Sequence, residues 1–419
     1  MFDEFDTLSP DERESQLFTG FAENLKRSSA ACPGLDAHLK GHDLSSINDR
    51  QALQGLPVLR KSVLMAAQQS NPPFGGFVDE SSLEGLRVFM SPGPVYEPQV
   101  AGSDPWQAVR ALHAAGIRRG MRVHNAFSYH LTPGGFIIDE GARALGCVVF
   151  PAGVGGTESQ VQAIRHLGSQ VYVGTPDYLQ VLLDHAQGES APLSTITHAL
   201  VSGGALFPAM RQRYQEQGIH VLQCYATADL GVIAYETSSG DTIHAGMVVN
   251  EGLIVELLVP GTDTPVSPGQ VGEVVVTRLD SGYPLLRFAT GDLSAQITEQ
   301  SPCGRTQMRL AGWMGRADQR AKVRGMFVDP VQLHALPRQF KQLDRWRLTI
   351  TREGGKDFMK LRVTLKPGTT PSAEEANALQ KDLAAALKAS TNVSGQAAIV
   401  DALPDDGVVV DDQRDYEKG

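Results

Sequence analysis

From Val171 to Leu230, short apolar runs such as Val171-Tyr172-Val173 and Ala199-Leu200-Val201 alternate with helical stretches such as Tyr178 to His185. That rhythm argues for an α/β sheet. Downstream, Leu253 to Val259 and Glu273 to Arg278 are rich in Val, Ile and Leu, and Pro265, Pro268 and Gly269 mark a turn between them. The two runs are expected to pair as a hairpin.

The chain ends in a different pattern. Leu348-Thr349-Ile350 and Leu361 to Leu365 read as strands joined through Glu353-Gly354-Gly355-Lys356, and a helix follows from Ser372-Ala373-Glu374-Glu375. Ala376, Leu379, Leu383 and Leu387 recur at one-turn spacing, and Gln396 to Val400 reads as a last strand. With 419 residues to divide, two domains are expected: a large α/β domain over 1–316 and a small α+β domain over 317–419. Near the N-terminus, Ser9-Pro10-Asp11-Glu12 carries a helix-start signal, and Leu17, Phe21 and Leu25 follow on one face.

Charge narrows the partners. Acidic side chains outnumber basic ones by 47 to 37, and without a basic cluster forming a groove the chain is not expected to bind nucleic acid. Cys32, Cys147, Cys224 and Cys303 lie far apart with no redox or ligand spacing, as reduced thiols do. The start, Met1-Phe2-Asp3-Glu4, is acidic where a secretory leader is basic, and no apolar run reaches membrane-spanning length. A cytoplasmic protein without a membrane partner is the expectation, with a homodimer left open.

The densest cationic and glycine-rich stretch is Gly315-Arg316-Ala317-Asp318-Gln319-Arg320-Ala321-Lys322-Val323-Arg324-Gly325-Met326-Phe327-Val328-Asp329-Pro330. Its composition suits a solvated linker as well as an anion-holding turn, because arginine grips phosphate through paired donors. Its order resembles Gly-Arg-x-Asp-x-x-x-Lys-x-x-Gly, the hinge motif of adenylate-forming enzymes. The continuation Met326-Phe327-Val328-Asp329-Pro330 and the later Leu348-Thr349-Ile350-Thr351-Arg352-Glu353-Gly354-Gly355 are similar to the phenylacetate-coenzyme A ligase branch. Leu56-Pro57-Val58-Leu59-Arg60-Lys61 and Tyr129 to Gly135 match in the same order, so the resemblance spans most of the chain.

The resemblance implies a large adenylate-forming domain with a mobile α+β lid, and it assigns roles. Ser91 and Gly93 fall in the phosphate loop. Gly203, Gly204 and Ala205 would lie against adenine, where bare backbone lets a flat ring approach. Tyr225-Ala226-Thr227-Ala228-Asp229 resembles Tyr-Gly-x-Thr/Ser-Glu, in which the ring stacks on adenine while Thr227 and Asp229 serve phosphate and magnesium. Arg287-Phe288-Ala289-Thr290-Gly291-Asp292 resembles Tyr-Arg-Thr-Gly-Asp, making Asp292 the acceptor for both ribose hydroxyls, with Arg316 completing the nucleotide grip. Asp318 would be the hinge and Lys322 the lysine used in thioester formation. Phe127, Tyr129, His130 and Phe136 could line the acid pocket or be ordinary core. ATP, magnesium and coenzyme A are the implied cofactors. His244 and Cys303 fall short of a zinc ligand set, and no zinc is expected.

Two segments depart from the pattern. The phosphate loop reads Phe89-Met90-Ser91-Pro92-Gly93-Pro94-Val95-Tyr96-Glu97-Pro98, where prolines remove amide donors and no lysine follows. The C-terminal Leu403 to Arg414 string lacks the lysine that would stabilise charge during adenylation. The leading expectation is an ATP-dependent ligase that forms an aryl- or arylacetyl-coenzyme A thioester through an acyl-adenylate. A regulatory or acyl- and nucleotide-binding homologue, and an acyltransferase using a preformed activated acid, are the alternatives.

Overall fold

The computed structural model describes the chain apart from residues 92, 93, 280, 281, 318, 320, 334, 355, 370, 405–407 and 415–419, and apart from the side chains of Lys322, Phe327 and Val331. It divides into two compact units, Met1–Leu206 with Met210–Gly315, and Phe207–Ala209 with Arg316–Gly419.

The first unit opens with helix α1 (Pro10–Phe18), whose Ser9 and Glu12 form a reciprocal capping box. The expected continuous apolar face over Leu17, Phe21 and Leu25 is broken, because Gly20 takes a left-handed backbone and α2 (Phe21–Ala31) starts afresh. Phe21 and Leu25 are nevertheless buried. Strand β1 (Leu59–Arg60) leads directly into α3 (Lys61–Ser70), and β2 (Val88–Ser91) and β3 (Val95–Pro98) form a separate antiparallel hairpin.

The α/β rhythm is present as strands β4 (Arg122–Asn125), β5 (Val148–Pro151), β6 (Val171–Gly174), β7 (His198–Val201) and β8 (His220–Thr227). Helices α4 (Gly134–Ala144), α5 (Thr157–Leu167) and α6 (Pro176–Gly188) cross over between successive strands from β4 to β7. The order β5-β4-β6-β7-β8 is parallel throughout. Alternation along each strand supplies two cores at once. Val171, Val173, Leu200 and Leu222 join one apolar cluster, while Tyr172, Ala199, Val201 and Val221 join another.

At β8 the sheet changes character. It continues antiparallel through β9 (Gly231–Tyr235), β10 (Met247–Val249), β14 (Arg309–Leu310), β13 (Leu285–Ile297), β12 (Val271–Arg278) and β11 (Ile254–Leu258), the last two being the expected hairpin. β1 adds to β13 in parallel, completing twelve strands.

Strand β13 is anchored by a charge pair with no access to water. Arg287 is fully buried and donates from Nε to Glu256 Oε2 at 3.0 Å and from Nη2 to Oε1 at 2.9 Å. Its Nη1 reaches the Gln54 carbonyl at 2.9 Å and the Leu56 carbonyl. One guanidinium thus fastens β13 to β11 and to the segment before β1, with each of its three nitrogens bonded inside protein.

In the second unit β15 (Ala321–Val323) pairs antiparallel with β16 (Met326–Val328). β17 (Leu343–Glu353) and β18 (Lys356–Leu365) form the expected hairpin, longer than the sequence pattern marked, and α7 (Ala373–Thr391) starts in a second capping box at Ser372 and Glu375. Leu383 and Leu387 are buried with Leu348, Ile350, Leu361 and Val363. The expected last strand, β19 (Gln396–Ile399), is followed by one more, β20 (Val410–Asp412), which adds to β17 in parallel.

Among the described residues no helix is long and apolar enough to cross a membrane. Replacing Glu256 with Ala strands the Arg287 charge in the core, and is predicted to destabilise the first unit by about 3–5 kcal/mol. Urea denaturation followed by tryptophan fluorescence measures the loss.

Candidate active site

The carboxyl ends of β6, β7 and β8 lie side by side, where open α/β sheets present their ligand-binding turns. The Ser202 N–H donates to the Gly174 carbonyl at 3.1 Å, and Ser202 Oγ donates to the Cys224 carbonyl at 2.8 Å. These bonds bring Gly174-Thr175, Ser202 to Ala205, and Tyr225 to Thr227 to one edge. Gly203 has φ of +71°, a left-handed turn that a side chain would strain, and Gly203 and Gly204 are exposed there.

A register shift between Tyr225 and Ala226 kinks β8 against β9. Tyr225 donates its hydroxyl to Asp292 Oδ2 at 2.8 Å, with Thr290 Oγ1 at 3.2 Å. Asp292 is 7% exposed, and its other oxygen, Oδ1, accepts from Trp313 Nε1 at 3.0 Å. The structure therefore unites two residues that the sequence analysis named separately, Tyr225 and Asp292, and adds Trp313.

Next to them is a charged cluster. Asp229, 6% exposed, accepts from Lys61 Nζ at 3.0 Å, and the same ammonium lies 3.9 Å from Glu97 Oε1. Ser91 Oγ donates to Glu97 Oε1 at 2.6 Å. Burial, and then the Asp229 charge, push the Glu97 carboxyl well above the usual carboxylate range. Tyr283, buried beside both acids, has its phenol pushed up by burial and by their charge. Lys61 lies in a string that the sequence analysis matched without giving it a role, and Glu97 lies in the departing loop. Only the packing of α3 and the β2–β3 hairpin brings them to Asp229.

Asp229 Oδ1 and Glu97 Oε2 are buried, and no Lys, Arg or hydroxyl group among the described residues donates to either. Glu97, held protonated, also shares a side-chain hydrogen bond with Asp229, so of the two it is the Asp229 carboxylate whose oxygen chemistry fits magnesium. Thr227 Oγ1 accepts from the Leu230 N–H at 3.2 Å and stays half-buried beside Ala226.

The aromatic candidates separate. Tyr129 donates its hydroxyl to Asp139 Oδ2 at 2.8 Å and accepts from Asn125 Nδ2 at 2.7 Å. Its ring meets Phe136 edge-on at 5.1 Å, and Phe136 packs on Phe89 at 5.3 Å. A Cβ at Gly135 would stand 2.7 Å from the Tyr129 ring, so glycine there permits the contact. Tyr129 and Phe136 thus adjoin the strand that ends at Ser91. Phe127 packs on the core, and His130 is exposed.

Gly93 and Asp318 lie outside the described residues. Lys322 pairs through its backbone with Phe327, and its side chain is likewise outside them. Arg316 belongs to the second unit.

Among the described residues no three His, Cys, Asp or Glu side chains gather into a metal-holding group. Cys303 has polar company instead, with Ser301 Oγ at 3.1 Å and Arg305 Nη1 at 3.3 Å. His244 Nδ1 contacts Thr237 Oγ1 at 3.0 Å.

The chain matches the family model for AMP-binding enzymes over residues 141–279. It is 30% identical over 335 residues to the phenylacetate-coenzyme A ligase of Thermus thermophilus, covering 77% of this chain and 74% of that protein. The phenylacetate-coenzyme A ligase of Pseudomonas putida is also 30% identical, over 71% of this chain and 70% of its own length. Among solved structures, 2-hydroxyisobutyryl-CoA ligase in complex with 2-HIB-AMP and CoA aligns with a TM-score of 0.79 at 24% identity, over 98% of this chain and 92% of its own.

Burial raises the Cys303 thiol, but hydrogen bonds from Ser301, Thr237 and Arg305 outweigh it and bring the value to about 7. Burial pushes Cys32 up to about 11 and Cys224 up to about 12. The thiolate is the reactive form. Limited iodoacetamide treatment at pH 7.5, read by peptide mass spectrometry, is predicted to modify Cys303 before Cys32 and Cys224, with a rate that rises through pH 7.

Proposed function

The chain belongs to the phenylacetate-coenzyme A ligase family of AMP-binding enzymes, and from that membership we propose that it joins an aryl or arylacetic acid to coenzyme A through an acyl-adenylate. In the first half-reaction a carboxylate oxygen of the acid bonds to the α-phosphorus of ATP and pyrophosphate leaves. In the second, the coenzyme A sulfur bonds to the acyl carbon and AMP leaves. The observation that carries this reading is the buried carboxylate of Asp292, held by Tyr225 at the end of the parallel strands.

Each residue has its part in the reading. Asp292 accepts from the ribose hydroxyls through charge-assisted bonds. The exposed backbone at Gly203 and Gly204, with Ala205, faces adenine beside the Tyr225 ring. Thr227 and Ser91 face the phosphates, and the Lys61 ammonium adds a positive charge close to them. Asp229 is the residue that would hold magnesium, which supplies charge neutralisation to the polyphosphate when bound. Tyr129 and Phe136 offer an aromatic wall to the acid. The hinge-motif string assigns Arg316 to the nucleotide, Asp318 to the hinge and Lys322 to the thioester half-reaction. A reaction that consumes ATP and coenzyme A suits a cytoplasmic protein.

A second reading draws on the loop that follows Ser91, where no lysine is present, and on the Leu403 to Arg414 string, which also lacks one. In it the protein binds an acyl-adenylate or nucleotide without forming it. Pyrophosphate release with ATP, magnesium and a panel of aromatic acids, followed by thioester formation on adding coenzyme A, separates the two. Turnover with at least one aryl or arylacetic acid is expected, and AMP binding without turnover selects the second reading. Asp292→Ala is predicted to weaken AMP at least tenfold by calorimetry, through loss of the charge-assisted bonds.

A further inference from the structure

Trp313 stands outside every motif that the sequence analysis singled out, yet it is held against the central carboxylate by a run of backbone pairing. The Ala311 N–H donates to the Ala295 carbonyl at 2.8 Å, the Met314 N–H to the Leu293 carbonyl at 2.9 Å, and the Leu293 N–H to the Gly315 carbonyl at 2.9 Å. Ser294 Oγ donates to the Gly312 carbonyl at 2.7 Å. Residues 311–315 are therefore fastened along β13 on both sides of Trp313, and this fastening sets its indole opposite Asp292.

An indole N–H can only donate, so the 3.0 Å contact from Trp313 Nε1 to Asp292 Oδ1 has a single possible direction. Tyr225 holds the other oxygen at 2.8 Å. A carboxylate gripped from two sides by groups on separate segments has its plane fixed before any ligand arrives, and fixed acceptors lose less on binding than ones that must be ordered. We propose that Trp313 is a positioning residue of the nucleotide site, orienting Asp292 so that it recognises the ribose diol of an adenine nucleotide. This rests on the adenylate reading of the same site.

A residue that orients Asp292 toward ribose governs sugar discrimination, whereas a residue that only packs does not. Trp313→Phe keeps an aromatic ring and removes the donor. Calorimetry with AMP and 2′-deoxy-AMP is expected to show native protein preferring AMP, and Trp313→Phe binding AMP about tenfold more weakly with much of that preference gone. Loss of both ligands by the same factor, or no loss, overturns the proposal. A second measurement needs no variant. Labelling with 15N-tryptophan gives one indole N–H signal for each of the three tryptophans, and AMP is expected to move at least one of them in step with saturation. A spectrum in which none moves at saturating AMP also overturns it. Native protein that binds no AMP rejects the adenylate reading together with this proposal, while native binding with an unchanged sugar preference in Trp313→Phe rejects Trp313 alone.

Discussion

A tyrosine hydroxyl 2.8 Å from a buried carboxylate ties the last parallel strand of the large sheet to its longest antiparallel one. A carboxylate taken out of water is tolerated only where donors are waiting for it. Tyr225 and Trp313 supply them, the first held in β8 and the second by the backbone bonds of residues 311–315 to β13, so Asp292 has one place to be. The parallel strands supply the loops that surround it, and Arg287 anchors the strand that carries it. Moving β8 by one residue relative to β9 would turn Tyr225 to the opposite face and leave the carboxylate without its hydroxyl.

The charges beside that bond follow similar logic at closer range. Lys61, Glu97 and Asp229 come from a helix start, a hairpin and the turn after β8, and one ammonium serves two acids. Burial and the Asp229 charge favour the protonated form of Glu97, which leaves Lys61 and Asp229 as the balanced ion pair. A cation does stand beside the phosphate-loop string, on Lys61 of a different segment, 3.9 Å from Glu97.

What could be read from the sequence was whatever is written locally. The two capping boxes, the hairpin between Leu253 and Arg278 and the α/β alternation each depend on neighbours within a few residues, and each is present. Asp292 and Tyr225 were legible as motif strings, but their hydrogen bond was not, because 67 positions separate them. Lys61 and Trp313 carried no local signal for their partners, Asp229 and Asp292, which only the fold brings close. The first helix was read too long because Leu17, Phe21 and Leu25 keep one spacing across Gly20, and glycine's left-handed backbone overrides that periodicity. Strand β20 was missed because the Val408-Val409-Val410 run that leads into it lies in a string read for its missing lysine, and its pairing partner, β17, lies some sixty residues earlier.

In the proposed function Asp292 is the ribose acceptor of an adenine nucleotide. A crystal structure of the protein grown with AMP tests it most directly. Adenosine is expected at the ends of β6, β7 and β8, with the ribose hydroxyls within hydrogen-bonding distance of the Asp292 carboxylate, roughly 2.5–3.0 Å. AMP bound elsewhere on the chain, or bound there with its ribose turned away from Asp292, would contradict it.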